Sequence, residues 1–172
     1  MRTCGPRTLT RSASEGESQS TSQLASDPTA NDNRCMTTFH TSRRVEFCET
    51  DAAGIAHFSA FFLYMEQAEH ACLRDLGLSV MHHDADGTIS WPRVSATCDF
   101  GGTVKFEDIV DIEVGIERLG EKSVTYVFRF ALAGQEVATG NIIAVCCRIR
   151  PDAPPHPIAI PDWMREKLAS RM

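Results

Sequence analysis

Asp51 is the carboxylate in this chain best placed to do chemistry. It lies within Val45-Glu46-Phe47-Cys48-Glu49-Thr50-Asp51-Ala52-Ala53-Gly54-Ile55-Ala56-His57-Phe58. There an apolar/polar alternation ends near Cys48, an acidic turn follows, and Gly54 leads into a long amphipathic run from about Ser59. The carboxylate therefore sits on a loop between a strand end and a helix start. A carboxylate can act as base or nucleophile near neutral pH. The free N–H groups that open a helix can polarise a carbonyl held beside it. Aspartate also caps turns for purely structural reasons, so position alone leaves both uses open.

Other chemistry-bearing side chains are more scattered. Glu66 is a second carboxylate, on the amphipathic run itself, and Glu69 and His70 read as its solvated side. His57 precedes Phe58 at the start of the run, where a solvated loop histidine is the simplest reading. Lys122 follows the Leu119-Gly120-Glu121 turn as an ordinary surface lysine would, and Arg93 follows Trp91-Pro92. The seven cysteines (Cys4, Cys35, Cys48, Cys72, Cys98, Cys146, Cys147) show no zinc half-site spacing. They read as buried reduced thiols, with Cys146 and Cys147 on opposite faces of one strand. No Gly-x-Ser-x-Gly elbow and no phosphate-cradling glycine motif is present, and Gly101-Gly102 is too short to be one.

The elements that must hold these residues follow from periodicity. A first strand is expected over 40–48. Residues 59–76 place Phe61, Met65, Ala68, Cys72 and Leu76 at three- and four-residue steps, with Ser59 as N-cap and Gly77 as the stop. Apolar residues cover so much of this helix that other structure must wrap it. A polar turn at Asp84–Gly87 precedes a second strand over 89–100, with Pro92 at an edge or bulge. Val110, Ile112, Val114 and Ile116 alternate with polar residues, and Val124, Tyr126, Phe128, Phe130 and Leu132 repeat that period of two. A last strand is expected over 137–149. The proline-rich piece 151–161 should end regular structure before a short helix over 162–168. This order, β-α-β-β-β-β, gives an α+β fold with a helix on one sheet face.

The phrase Thr50-Asp51-Ala52-Ala53-Gly54-Ile55 resembles the hot-dog acyl-CoA thioesterases of the 4-hydroxybenzoyl-CoA thioesterase type. Weaker agreement lies in Phe106-Glu107-Asp108-Ile109 and Ile160-Pro161-Asp162-Trp163. The likeness spans about residues 40–168. It implies the hot-dog fold, a curved antiparallel five-stranded sheet wrapped around one long central helix. It also implies hydrolysis of an acyl-CoA to free acid and coenzyme A, with no metal and no cofactor. Asp51 takes the catalytic position, as nucleophile or as base. The helix opening at His57, Phe58 and Ser59 meets the thioester. Relatives often carry Tyr or His where this chain has Phe58, and Asn or Ser where it has Ala60, which points to a drier acyl pocket here. Other hot-dog thioesterases use a helix acid, for which Glu66 is the counterpart. Lys122 matches basic residues that meet coenzyme A phosphates across a subunit interface, so a homodimer or tetramer is implied. Two other readings of the fold are a non-catalytic module that binds acyl-CoA or an aromatic ligand, and a dehydratase. The dehydratase would pair a catalytic histidine with a helix acid.

Composition sets the remaining bounds. At 172 residues, with 42% hydrophobic and 23% charged, the chain is sized for one soluble globular domain. A net charge of −6 argues against a nucleic-acid surface while leaving room for a small basic pocket. No apolar run approaches the roughly 20 residues of a membrane span, and a cytoplasmic protein is expected. Residues 1–35 hold no Val, Ile, Phe, Tyr or Trp, and four arginines balance four acids there. They read as a disordered tail, or as the product of a misassigned start before Met36. Residues 36–172 form the expected hot-dog thioesterase domain.

Overall fold

Period-two alternation places one set of branched and aromatic side chains on the inner face of a sheet. The computed structural model describes residues 37–172; the expected tail, together with Cys4 and Cys35, lies outside the described residues. Five antiparallel strands form the main sheet in the order β1-β5-β6-β7-β4. They are β1 (Phe39–Arg44), β4 (Arg93–Phe100), β5 (Ile109–Leu119), β6 (Ser123–Leu132) and β7 (Gln135–Val145). Val110, Ile112, Val114 and Ile116 of β5, and Val124, Tyr126, Phe128 and Phe130 of β6, are all buried.

That inner face receives α1 (Phe58–Asp75), which buries Ala60, Phe61, Tyr64, Met65, Ala68, Cys72 and Leu73. The approach is close: a Cβ on Gly140 of β7 would lie 2.4 Å from Met65 Sδ. Only glycine lets the helix sit this near the strand. α1 stops where Gly77 adopts φ +63°, with its amide bonded to the Arg74 carbonyl and the Leu78 amide to that of Leu73. The expected hot-dog architecture, a curved sheet around one long helix, is what the chain forms. No helix among the described residues is long and apolar enough to cross a membrane.

Several local expectations fail. The first strand ends at Arg44, because Glu46 and Glu49 then form a short 3-10 turn, Phe47–Glu49; the Glu46 amide donates to Glu49 Oε2 at 2.8 Å. His57, not Ser59, caps α1: its Nδ1 lies 2.8 Å from Ser59 Oγ and accepts from the Ser59 amide. The strand expected over 89–100 breaks at Trp91-Pro92 into β3 (Gly87–Ser90) and β4, since proline has no N–H for a continuous ladder. Likewise the last strand breaks at Cys146 into β7 and β8 (Cys147–Arg150), as the Cys146 amide turns to the Lys122 carbonyl.

These breaks create a second sheet in the order β2-β3-β8-β9. Its outer members are β2 (Met81–Asp84), which turns back into β3, and β9 (Ala153–Pro157). The proline-rich piece therefore does not end regular structure. It adds a fully exposed edge strand, the one place in a sheet that tolerates proline. Both Cys146 and Cys147 are buried, because the chain turns between them. α2 (Asp162–Ala169) closes the fold as expected, burying Met164 and Leu168.

Candidate active site

The Asp51 loop is stitched on three sides. Within it, the Asp51 amide donates to the Ile55 carbonyl at 2.9 Å, the Gly54 amide to the Asp51 carbonyl at 3.0 Å, and the Ala53 amide to Asp51 Oδ1 at 2.8 Å. Gly54 closes the turn at φ +72°, where a side chain would be strained. Toward the 101–105 segment, the Ala56 amide donates to the Val104 carbonyl at 2.8 Å, and Ile55 bridges Lys105. Toward α1, the His57 amide donates to the Glu49 carbonyl at 2.8 Å.

Glu49 binds more than its carbonyl suggests. Its carboxylate accepts from the Tyr64 hydroxyl at 2.6 Å and from the Glu46 amide. Tyr64 is fully buried on α1, so one residue ties the 3-10 turn, the helix cap and the helix body together. Burial, followed by the Glu49 carboxylate, pushes the Tyr64 hydroxyl well above the usual tyrosine range. It stays a donor at any ordinary pH. Asp51 is thus held two residues from a rigid anchor.

A cleft of about 380 Å³ opens beside this loop, lined by Asp51, Ile55, Ala56, Phe58, Phe61, Phe100 and the 101–104 segment. Three phenylalanines stand among its lining residues. Phe61 meets Phe100 edge-on at 5.3 Å, and Phe58 is 58% exposed at the mouth. The Phe58 amide, first in α1, has no acceptor among the described residues. The residue that opens the positive end of a helix dipole and an aspartate therefore line one mostly apolar cleft. That arrangement can stabilise an oxyanion while a base or nucleophile acts at the adjoining carbon.

Of the residues expected from sequence, the structure brings Asp51 and Phe58 together in the cleft, with His57 and Ser59 adjacent as cap and second turn residue. Glu66 lies exposed on the outer face of α1, eight residues past Phe58 or about 12 Å along the axis at ~1.5 Å per residue. Lys122 is exposed at the opposite end of the sheet. Along β7, seven residues separate Val145, opposite Ser123, from Ala138, opposite Phe100. At ~3.3 Å per residue that is about 23 Å. Lys122 cannot reach the cleft of its own chain.

Glu69, read as solvated, is fully buried. The sheet wraps this side of the helix and carries Arg93 inward, whose guanidinium donates to Glu69 Oε2 at 2.8 Å and to His70 Nε2 at 2.9 Å. Burial raises the Glu69 carboxyl above its usual range, and Arg93 opposes that rise. Glu69 Oε1 and the Tyr126 hydroxyl are buried without a partner among the described residues. The described cysteines are all free, and burial pushes Cys72, Cys98 and Cys146 up to about 11, so these three stay protonated and poorly nucleophilic at neutral pH. Among the described residues no His/Cys/Asp/Glu cluster could hold a metal.

The sequence profile of the Thioesterase-like superfamily matches residues 45–168, from the 3-10 turn through α2. The chain belongs to that superfamily. It is a thioester hydrolase. A 1,4-dihydroxy-2-naphthoyl-CoA hydrolase of Synechococcus elongatus is 26% identical over 132 residues, covering 76% of this chain and 97% of its own. The structure of a gentisyl-coenzyme A thioesterase superposes with a TM-score of 0.67 at 30% identity, covering 76% of this chain and 99% of that one. A 1,4-dihydroxy-2-naphthoyl-CoA thioesterase from Synechocystis shares the fold at 21% identity, with a TM-score of 0.68 over 77% of this chain and 96% of its own.

Proposed function

We propose that this superfamily member hydrolyses an aryl-CoA thioester at the Asp51 cleft. The observation that carries the reading is that Asp51 and Phe58, the first residue of α1, line the same cleft, and that the Phe58 amide has no acceptor among the described residues. In the base route, Asp51 takes a proton from water as the water oxygen bonds to the thioester carbon. In the nucleophile route, a carboxylate oxygen of Asp51 forms that bond and water then cleaves the anhydride. Either way negative charge develops on the carbonyl oxygen, the Phe58 amide receives it, and the carbon–sulfur bond breaks. The departing thiolate needs little protonation help, its conjugate acid having a pKa of about 8.5 if cysteine-like.

An aromatic acyl group suits Phe58, Phe61 and Phe100, which offer ring faces and edges and few polar contacts. Relatives named for 1,4-dihydroxy-2-naphthoyl-CoA and gentisyl-coenzyme A support the same class. Thiol release from matched panels should rank aryl-CoAs above short and medium aliphatic ones in kcat/KM. A preference for aliphatic chains would remove the aromatic assignment.

The working unit in this proposal is a homodimer, or a tetramer of two dimers. β1 and β4 are the free edges of the main sheet. β1 turns His40, Ser42 and Arg44 outward, which discourages strand addition. β4 exposes Val94 and Phe100 instead, at 64% and 49%. Antiparallel pairing of two β4 edges would cover them and make one continuous sheet. Light scattering should give a mass of at least twice 19 kDa. A fully active monomer would contradict this assembly.

A further inference from the structure

On the side of α1 facing β1 lies a second groove, of about 350 Å³ and half open to solvent. Its polar lining is Thr41, Ser42, Arg43, Gln67, His70 and Arg74, with no carboxylate among them. Two guanidinium groups line this small space, and one of them has no acidic partner. Arg74 has no salt bridge among the described residues, while Arg43 pairs with Glu49 Oε1 at 3.8 Å and lies over the Tyr64 ring at 5.6 Å. His70 adds a third donor. Its Nε2 faces the Arg93 guanidinium, which can only donate, so the remaining proton sits on Nδ1. Burial and then Arg93 hold His70 below its usual pKa, which keeps that neutral form. The acids nearby are otherwise placed. Glu49 is bound by Tyr64, Asp75 pairs with Arg171, and Glu66 is exposed outside the lining.

We propose that this groove binds a phosphate group. A guanidinium fork such as that of Arg74 matches the geometry of a phosphate, and Arg43, the hydroxyls of Thr41 and Ser42 and the His70 ring line the same groove to meet its remaining oxygens. The groove is larger than one phosphate needs, so the ligand carries the phosphate on a bigger body. Two sources share this chemistry: the nucleotide end of a coenzyme A substrate, and a separate phosphorylated metabolite. From Phe58 to His70 is twelve residues of α1, about 18 Å along the axis alone at ~1.5 Å per residue, and the groove faces β1 while the cleft is walled by Phe100 of β4 at the other edge of the sheet, so a coenzyme A reaching both would have to cross the helix. The site stands independently of the hydrolysis reading; only its assignment to the substrate rests on that reading.

Calorimetry on the full chain at low salt, with inorganic phosphate and with adenosine 3′,5′-bisphosphate, tests the site. Saturable binding is expected, weakened about tenfold in Arg74→Ala, since a charged hydrogen bond is lost, and abolished in Arg74→Glu. Arg74 is exposed, so neither change should affect folding. No binding of either probe to the wild-type chain, or equal binding by all three proteins, would overturn the proposal. A kinetic arm separates the sources by comparing one aryl thioester of coenzyme A with its N-acetylcysteamine counterpart. If the groove holds the substrate, Arg74→Ala raises KM for the coenzyme A ester alone and leaves kcat unchanged. If the ligand is separate, Arg74→Ala loses phosphate binding with both sets of kinetics unmoved. Should no thioester turn over, the hydrolysis reading fails while calorimetry still decides the groove.

Discussion

Asp51→Asn is expected to lose turnover of aryl-CoA by at least about 10²-fold, with folding and ligand binding nearly unchanged. Asparagine keeps the size of aspartate, and its carbonyl oxygen can still accept the Ala53 amide that Asp51 Oδ1 receives. It is neither a competent base nor a good nucleophile. The loss of a positioned acid–base group of this kind costs about 10²–10⁴-fold. The lower bound is about 2.7 kcal/mol of barrier at roughly 1.36 kcal/mol per tenfold. Glu66→Gln is the control, because Glu66 is the helix acid that other hot-dog thioesterases would use. It lies about 12 Å along α1 from the cleft opening and is exposed. Moderate impairment at most is expected there. The reverse ranking would transfer catalysis to Glu66.

Arg93→Ala should give the largest loss of stability, about 3–5 kcal/mol, because removing one partner of a buried pair strands the other. Glu69 would keep its place between helix and sheet with no cation, and His70 would lose its donor. The sign of the pH dependence follows from Glu69. Its folded pKa lies above its unfolded value, so its contribution to stability is fullest at pH below the unfolded pKa and is lost as pH rises through the folded one. A protonated Glu69 needs no cation, so the Arg93→Ala defect should be smaller near pH 5 than at pH 8. Adding Glu69→Gln to Arg93→Ala should recover much of the loss. Urea denaturation at the two pH values reads both effects. A defect below about 1 kcal/mol, equal at both, would contradict the buried pair.

What the sequence shows and what it hides divide by range. The period-two runs of β5 and β6 and the stripe of α1 are local patterns, and their elements appear within a few residues of expectation. Asp51 could be placed for the same reason: strand end, Gly54 and helix start are neighbours in the chain. The rest of the cleft is not local. Phe100 and the 101–104 segment come from some 50 residues away, through the Ala56–Val104 pairing, and two adjacent glycines gave no hint of it. Glu69 looked solvated because a helix pattern cannot say which polar residue the sheet will cover. The turn at Cys146 and the proline-bearing β9 leave no local signal, because pairing, not propensity, holds them. His57 as cap was missed because an imidazole nitrogen is a less usual cap than the Ser59 hydroxyl two residues on.

The central claim is that the thioester lies between Asp51 and the first amide of α1. A crystal structure of the Asp51→Asn variant with an unhydrolysed hydroxyaryl-CoA measures this directly. The thioester oxygen is expected at about 2.7–3.1 Å from the Phe58 nitrogen. The carbonyl carbon should lie at about 3–3.5 Å from the side chain at position 51 or from a water bound to it, with the aryl ring against Phe61 and Phe100. A thioester seated beside Glu66, or an oxygen with no amide of the helix opening in reach, would contradict the claim.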